Sequence, residues 1–242
     1  MPEAVNRVFD EADRVVFEVD MSRMNGQEIA RLTQEYGVYP GSETLSSTLS
    51  DETLAVLTSF LDERNLPMDA VERLRPWLLA LQISVQEMQR LGFNPAFGLD
   101  MHFMQRAVGI GKPIGQLETF EEQMEMLAAD PPVIQDLALR ATILELGRTK
   151  DDIDQLLTAW AAGDADRMYE LAMVGADRYP ALKSQLDRLI DKRNQTMAAR
   201  IRELLSNGED TLVIVGALHL GGEEGILSLL RNDYELSRVN SD

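Results

Sequence analysis

The sequence predicts an α/β fold: a small mixed, largely parallel sheet flanked by many helices, with residues 130–206 forming a helical insertion or cap inside one domain spanning 1–242. Three observations lead there. Short apolar or β-branched runs recur along the chain, separated by longer stretches of helical periodicity. That alternation favours parallel strands with helices packed around them. At 242 residues the chain is long enough to bury a core, and without cysteine it must do so with no disulfide or thiolate-held metal.

The elements follow in order. Over residues 2–12, Val5, Val8, Phe9 and Ala12 share one helical stripe. Residues 14–20 then change to a compact β-branched run, which places Val15, Phe17 and Val19 on one strand face and Val16, Glu18 and Asp20 on the other. Helices are expected over 26–36, 51–65 and 68–91, with the serine-rich stretch 42–50 as a connecting loop. Strands are expected at 96–99 and 113–117, the second running into a helix over 120–127. A long helical series covers 132–205, punctuated by Gly147, Gly163, Gly175 and Pro180. A buried strand over 211–216, a helix over 223–231 and a final strand over 234–239 complete the reading.

Composition removes several function classes. A formal net charge of −18 opposes binding to nucleic-acid phosphates or anionic lipid, and no compensating cationic cluster stands out. No apolar run approaches the ~18 residues that span a bilayer. The first ten residues carry acids and lack a long apolar segment, so they do not read as a secretion signal. The compartment stays open: the chain as written reads as soluble, and a precursor with a signal peptide would be exported or periplasmic.

Several residues break the bland pattern. Glu18 is a carboxylate at the end of a buried strand; taken alone it reads equally as an acid that reaches solvent. Asp100 and Glu118 each follow a short apolar run at a strand-to-helix junction, where acids also serve as ordinary partners of helix N-termini. The run 211–222 carries a buried strand into Gly216, then His219, then Gly221 and Gly222, which presents the imidazole in a frame that allows close backbone approach.

On the helix expected over 181–205, Leu182, Leu186, Leu189, Ile190, Met197, Ile201 and Leu204 form the apolar stripe, and Arg193 and Asn194 fall within it. An inward guanidinium needs a carboxylate partner or an anionic ligand. Glu18, Asp100 and Glu118 are the candidate partners in a purely structural ion pair. Parallel sheets bind ligands outside the carboxyl ends of their strands, and the strand-end residues are expected to converge there. His102 reads as a packed residue near a helix start.

These residues carry a family resemblance. The segment 12–20, Arg75-Pro76-Trp77-Leu78, Gly98-Leu99-Asp100 followed by Phe103, and Gly111-Lys112-Pro113 with Leu117-Glu118-Thr119 and Glu121-Glu122-Gln123 belong to it. So do Trp160 with Gly163-Asp164, Arg193-Asn194, and Gly216-Ala217-Leu218-His219-Leu220. In that order the chain resembles the TraB/GumN family, whose animal relatives are the Tiki metalloproteases. The resemblance implies a mixed sheet flanked by helices, similar to erythromycin-esterase-like and ChaN-like proteins, and a site built from two G-x-x-H motifs and a glutamate. Glu18 matches that glutamate, Gly216 to His219 the second G-x-x-H, Arg193 the helix arginine, and Asp100 and Glu118 the recurring acids. The first G-x-x-H normally precedes the helix that begins here at Pro2, and the chain has no counterpart.

The expected function is a metal-dependent, peptidase-like hydrolase. Glu18, His219 and Arg193 would be catalytic, with His219 and Glu18 holding a divalent metal. Asp100, Glu118, Asn194 and Gly216 would contact substrate or support those groups. The alternative is a non-catalytic binding or regulatory domain that keeps fold and cleft. Haem binding through His102 and His219 is a lesser reading by analogy with ChaN-like proteins. The expected partners are a peptide or small-molecule ligand, no nucleic acid and no membrane insertion, with homodimerisation through an exposed sheet edge.

Overall fold

The structure, a computed structural model, describes residues 3–239. The chain opens with α1 (Glu3–Glu11) and β1 (Arg14–Phe17), then continues through α2 (Gly26–Gly37), α3 (Leu45–Thr48), α4 (Asp51–Glu63), α5 (Pro76–Arg90) and α6 (Leu99–Ile110). Next come β2 (Ile114–Gln116), α7 (Phe120–Ala128), α8 (Pro132–Glu145), α9 (Thr149–Ala162) and α10 (Ala165–Arg178). A long helix follows in three parts: α11 (Lys183–Leu186), a π-helical segment (Asp187–Lys192) and α12 (Arg193–Leu205). The chain closes with β3 (Thr211–Ile214) and α13 (Ile226–Arg231).

The three strands form one sheet in the order β2-β1-β3. Both pairings are parallel, so within the described residues the expected mixed sheet is wholly parallel. The register sets Phe17 beside Gln116 on one flank and Ile214 on the other. All three strands therefore end at the same level, just before Glu18, Leu117 and Val215.

The period-2 reading of β1 is realised. Val15 and Phe17 pack with Phe9 of α1 and with Phe103, Met104 and Ala107 of α6. Val16 points the other way and packs with Met197, Ala198 and Ile201 of α12 and with Ile226 and Leu230 of α13. Helices thus cover both faces, which is why the central strand is apolar on both sides rather than alternating with polar residues.

The remaining helices build cores of their own beside the sheet. Leu45 of α3, Leu57, Phe60 and Leu61 of α4, Leu79 and Ile83 of α5, and Leu139 and Ile143 of α8 form one. Leu32 of α2, Trp77 and Leu78 of α5 and Met124 of α7 form another. The segment expected as an insertion or cap is shared between these surroundings: α8 packs on α4 and α5, whereas α12 packs on the sheet.

Several local expectations are corrected. Residues 96–99 are not a strand: Pro95–Phe97 is a 3-10 turn whose start is capped by Asn94, and α6 begins at Leu99. An Asn-Pro pair favours such a turn, and Phe97 is 83% exposed, unlike a sheet residue. Residues 234–239 form no strand and lie exposed after α13. The helix expected from residue 68 begins at Pro76, because proline holds Arg75 in extended geometry and suits the first helical position. The serine-rich loop contains α3, closed by a reciprocal capping box between Thr44 and Ser47. Among the described residues no helix is long and apolar enough to cross a membrane.

Candidate functional site

The site lies where the parallel strands end. Period 2 puts Glu18 on the same side of the sheet as Val16, the side covered by α12. Arg193 lies one helical turn before Met197, so packing Met197 on Val16 carries the guanidinium to the level of Glu18. Glu118 reaches the same place because the β2 pairing continues past the strand: Leu117 N–H donates to the Phe17 carbonyl at 2.8 Å and Glu118 N–H to the Glu18 carbonyl at 2.7 Å.

The two carboxylates share Arg193. Its Nε donates to Glu118 Oε2 at 3.0 Å, and its Nη2 donates to Glu118 Oε2 at 2.8 Å and to Glu18 Oε2 at 2.9 Å. Nη1 makes only a long 3.4 Å bond, to the Leu189 carbonyl. Burial opposes the guanidinium charge, but the hydrogen bonds and charges of Glu118 and Glu18 outweigh it and raise the Arg193 pKa further. Glu118 is only 5% exposed, so Arg193 is the counter-charge that makes its burial tolerable. The π-helical segment ends immediately before Arg193, and such local widening of a helix is frequent at functional sites.

His219 stands on the other side of Glu18, at the end of a 3-10 turn over Ala217–His219. Gly216 begins that turn, and its N–H donates to Glu18 Oε1 at 2.5 Å. A Cβ at Gly216 would lie 3.1 Å from that oxygen, so the glycine permits the close approach. His219 Nδ1 lies 2.7 Å from Oδ1 of the fully buried Asn194. An amide oxygen only accepts, so Nδ1 carries the hydrogen and Nε2 presents a bare lone pair. Burial lowers the His219 pKa; Glu18 and Glu118 pull it up and Arg193 adds to the lowering. The ring is therefore neutral at pH 7.

Nε2 of His219 lies 3.8 Å from Glu18 Oε1. Both atoms are acceptors, and the gap exceeds hydrogen-bond range, so a proton donor, a water or a cation suits the space between them. As a metal shell the pair is partial. No group of three His, Asp or Glu side chains placed to hold an ion occurs among the described residues, and Arg193 takes the other Glu18 oxygen.

The structure brings together Glu18, Glu118, Arg193, Asn194, Gly216 and His219. Asp100 stands apart from the expectation in one respect: it lies in the exposed first turn of α6 rather than at a strand end. It still feels the site, because desolvation and then the Glu18 charge hold its carboxyl above the usual range. His102 is exposed on α6, edge-on to the Phe103 ring. Two supporting groups escaped the sequence reading. Buried Asp20 accepts from the Ser22 N–H and closes the turn after β1, which its Asp-x-Ser spacing signals. Arg188, Lys192 and Arg200, beside Arg193 on one side of the long helix, were legible only as an i, i+4, i+12 recurrence in an acidic chain.

A doubly covered parallel sheet with an arginine-bridged carboxylate pair and a neutral histidine at its carboxyl ends defines an α/β protein with a polar cluster at the strand ends. The chain belongs to the TraB/PrgY/gumN family, whose model matches residues 1–238. It is similar to the uncharacterized protein YbaP of Escherichia coli (strain K12), at 24% identity over 231 residues, covering 96% of this chain and 81% of that protein. The YbaP of Shigella flexneri matches equally. Metalloprotease TIKI2 of Danio rerio is 26% identical over 292 residues, and the match covers 99% of this chain and 55% of that protein. No solved structure matches.

Proposed function

We propose that this chain is a hydrolase acting on peptide bonds, with the cluster of Glu18, Glu118, Arg193 and His219 as its reaction centre. The observation that carries the reading is the opposition of His219 Nε2 and Glu18 Oε1 across 3.8 Å at the strand ends. Family membership and the similarity to a protein named a metalloprotease support it.

A divalent ion is the finer part of the proposal, with His219 Nε2 and Glu18 as the residues that would hold it; such an ion would lower the pKa of a bound water toward ~7 and polarise a carbonyl. The chain's own groups do the rest. Asn194 keeps the imidazole lone pair aimed at Glu18. Gly216 N–H and Arg193 hold the Glu18 carboxylate in place, so that Oε1 serves either as a ligand of that ion or as the acceptor of a proton from a water in the gap. The Arg193 guanidinium, beside Glu18 through Nη2, supplies positive charge for the oxyanion that develops as a carbonyl is attacked.

Metal analysis of the purified protein, paired with cleavage assays on a peptide library, tests this. The wild type should cleave, while His219→Ala and Glu18→Gln should lose activity. Equal cleavage by wild type and His219→Ala removes the mechanism. A second reading, a binding domain without catalysis, is favoured by the lack of a third ligand beside His219 and Glu18 among the described residues. Saturable peptide binding with neither metal nor cleavage would select it.

A further inference from the structure

The chain carries 41 acidic side chains against 23 lysines and arginines, so cations gathered in one place stand out. Between the long helix and α7 lies a hollow of about 210 Å³ in which Arg188, Lys192, Arg193 and Arg200 face only two acids, Glu118 and Glu122. Arg188, Lys192 and Arg200 recur at i, i+4 and i+12 and form a ridge that leads from the surface to Arg193.

The charges on this ridge are incompletely answered from within. Arg188 Nη2 pairs with the buried Asp130 at 2.6 Å, yet its buried Nε–H finds no acceptor among the described residues. Lys192 is exposed and meets no carboxylate within ion-pair distance among the described residues. Arg200 is answered by Glu122 at 3.0 Å, both partly exposed, so that pair is screened by water and readily exchanged for a better acceptor. Arg193 Nη1 is the fourth undersubscribed donor, with only a long bond to the Leu189 carbonyl, while its Nε and Nη2 face Glu118 and Glu18.

We propose that this hollow is a carboxylate subsite, so that the substrate is an acidic peptide bound with one carboxylate against Arg188, Lys192 and Arg200 and its scissile bond beside Arg193. The inference rests on the hydrolase reading for the position of that bond, but not for the subsite itself. The volume lies below the ~300 Å³ at which pockets accept whole small molecules, and it suits a single side chain or chain terminus. An acidic ligand also explains why a chain with such excess negative charge keeps cations here: elsewhere on the surface a carboxylate meets repulsion, and here it meets guanidinium and ammonium donors.

The two sources of that carboxylate, an Asp or Glu side chain and a free C-terminus, are separated by three probes. N-acetyl-Ala-Glu-Ala-amide carries only the side-chain group, N-acetyl-Ala-Gln-Ala with a free terminus carries only the terminal one, and N-acetyl-Ala-Gln-Ala-amide carries neither. Calorimetric or NMR titration of the full chain should show saturable binding of at least one of the first two and none of the third. Lys192→Ala combined with Arg200→Ala should weaken that binding by about tenfold or more, with circular dichroism unchanged, because both side chains are on the surface. Higher salt should weaken it as well. Equal affinity for the neutral peptide, no binding of either acidic probe, or no loss in the double variant overturns the subsite. Intact binding in a protein that cleaves nothing would instead sink the hydrolase reading and leave the subsite standing.

Discussion

Asn194 Oδ1 and His219 Nδ1 lie 2.7 Å apart inside the protein, and this contact fixes which imidazole nitrogen faces Glu18. Replacing Asn194 with leucine keeps most of the volume and removes the acceptor. The Nδ1–H is then buried without a partner, which costs about 1–3 kcal/mol and frees the ring to adopt the other tautomer. Urea denaturation should show the loss, and 15N spectra of His219 should show mixed tautomers. An unchanged tautomer would mean that some other group orients the ring.

Arg193 is the shared partner of two carboxylates, one of them nearly buried. Arg193→Met should destabilise the fold by about 3–5 kcal/mol, because it leaves the nearly buried Glu118 carboxyl without its partner. Adding Glu118→Gln should recover much of that loss. A double variant no more stable than Arg193→Met would show that the cost lies in packing rather than in the stranded carboxyl.

The buried imidazole gives a signed pH dependence. Burial lowers the folded-state pKa of His219 below its ordinary value of 6.5, so the unfolded chain takes up the proton first as pH falls. The stability contributed by the neutral ring is complete above the unfolded pKa, and it is lost as pH falls from there to the lowered folded value. In metal-free protein, the urea midpoint of the wild type should fall across that window more steeply than that of His219→Asn. Parallel curves would show that His219 is not the group responsible.

Gly221 sits against backbone rather than a movable side chain: a Cβ there would lie 2.1 Å from the Ala165 carbonyl oxygen. Gly221→Ala must push the strand-end loop away from the start of α10, with an expected cost of about 1–3 kcal/mol from overpacking. Because the loop also carries His219, activity should fall by more than stability alone explains. A thermal melt together with the peptide assay separates the two losses.

Among the described residues, β2 and β3 have no strand neighbour on their outer sides, and open edges favour pairing with another chain. Sedimentation at rising concentration should therefore show a dimer forming. A strictly monomeric profile would count against edge pairing.

How much of this was legible depends on how local its cause is. The central strand and the inward direction of Arg193 follow from period 2 and period 3.6, and both can be read from neighbouring residues. Thr119 was recognisable as a helix cap because its partner Glu122 lies within one turn. Residues 96–99 misled because a brief apolar run has no period, and the Asn-Pro before it outweighed hydrophobicity. The choice of Glu118 and Glu18 over Asp100 as partners of Arg193 left no local mark. Strand register sets Glu118 beside Glu18, and the packing of α12 on the sheet brings Arg193, 75 and 175 positions away, to both. The same applies to Asn194 and His219, whose contact exists only once α12 and β3 lie on the same sheet.

The sheet is assembled from strands starting at Arg14, Ile114 and Thr211. During synthesis β1 must wait for its second neighbour until Thr211–Ile214 has been made, and the histidine leaves the ribosome later still. Such long-range parallel pairing is slow to form. A chain stopped before His219 therefore lacks the assembled centre, so any chemistry of that centre is withheld until β3 and the residues just after it have been made.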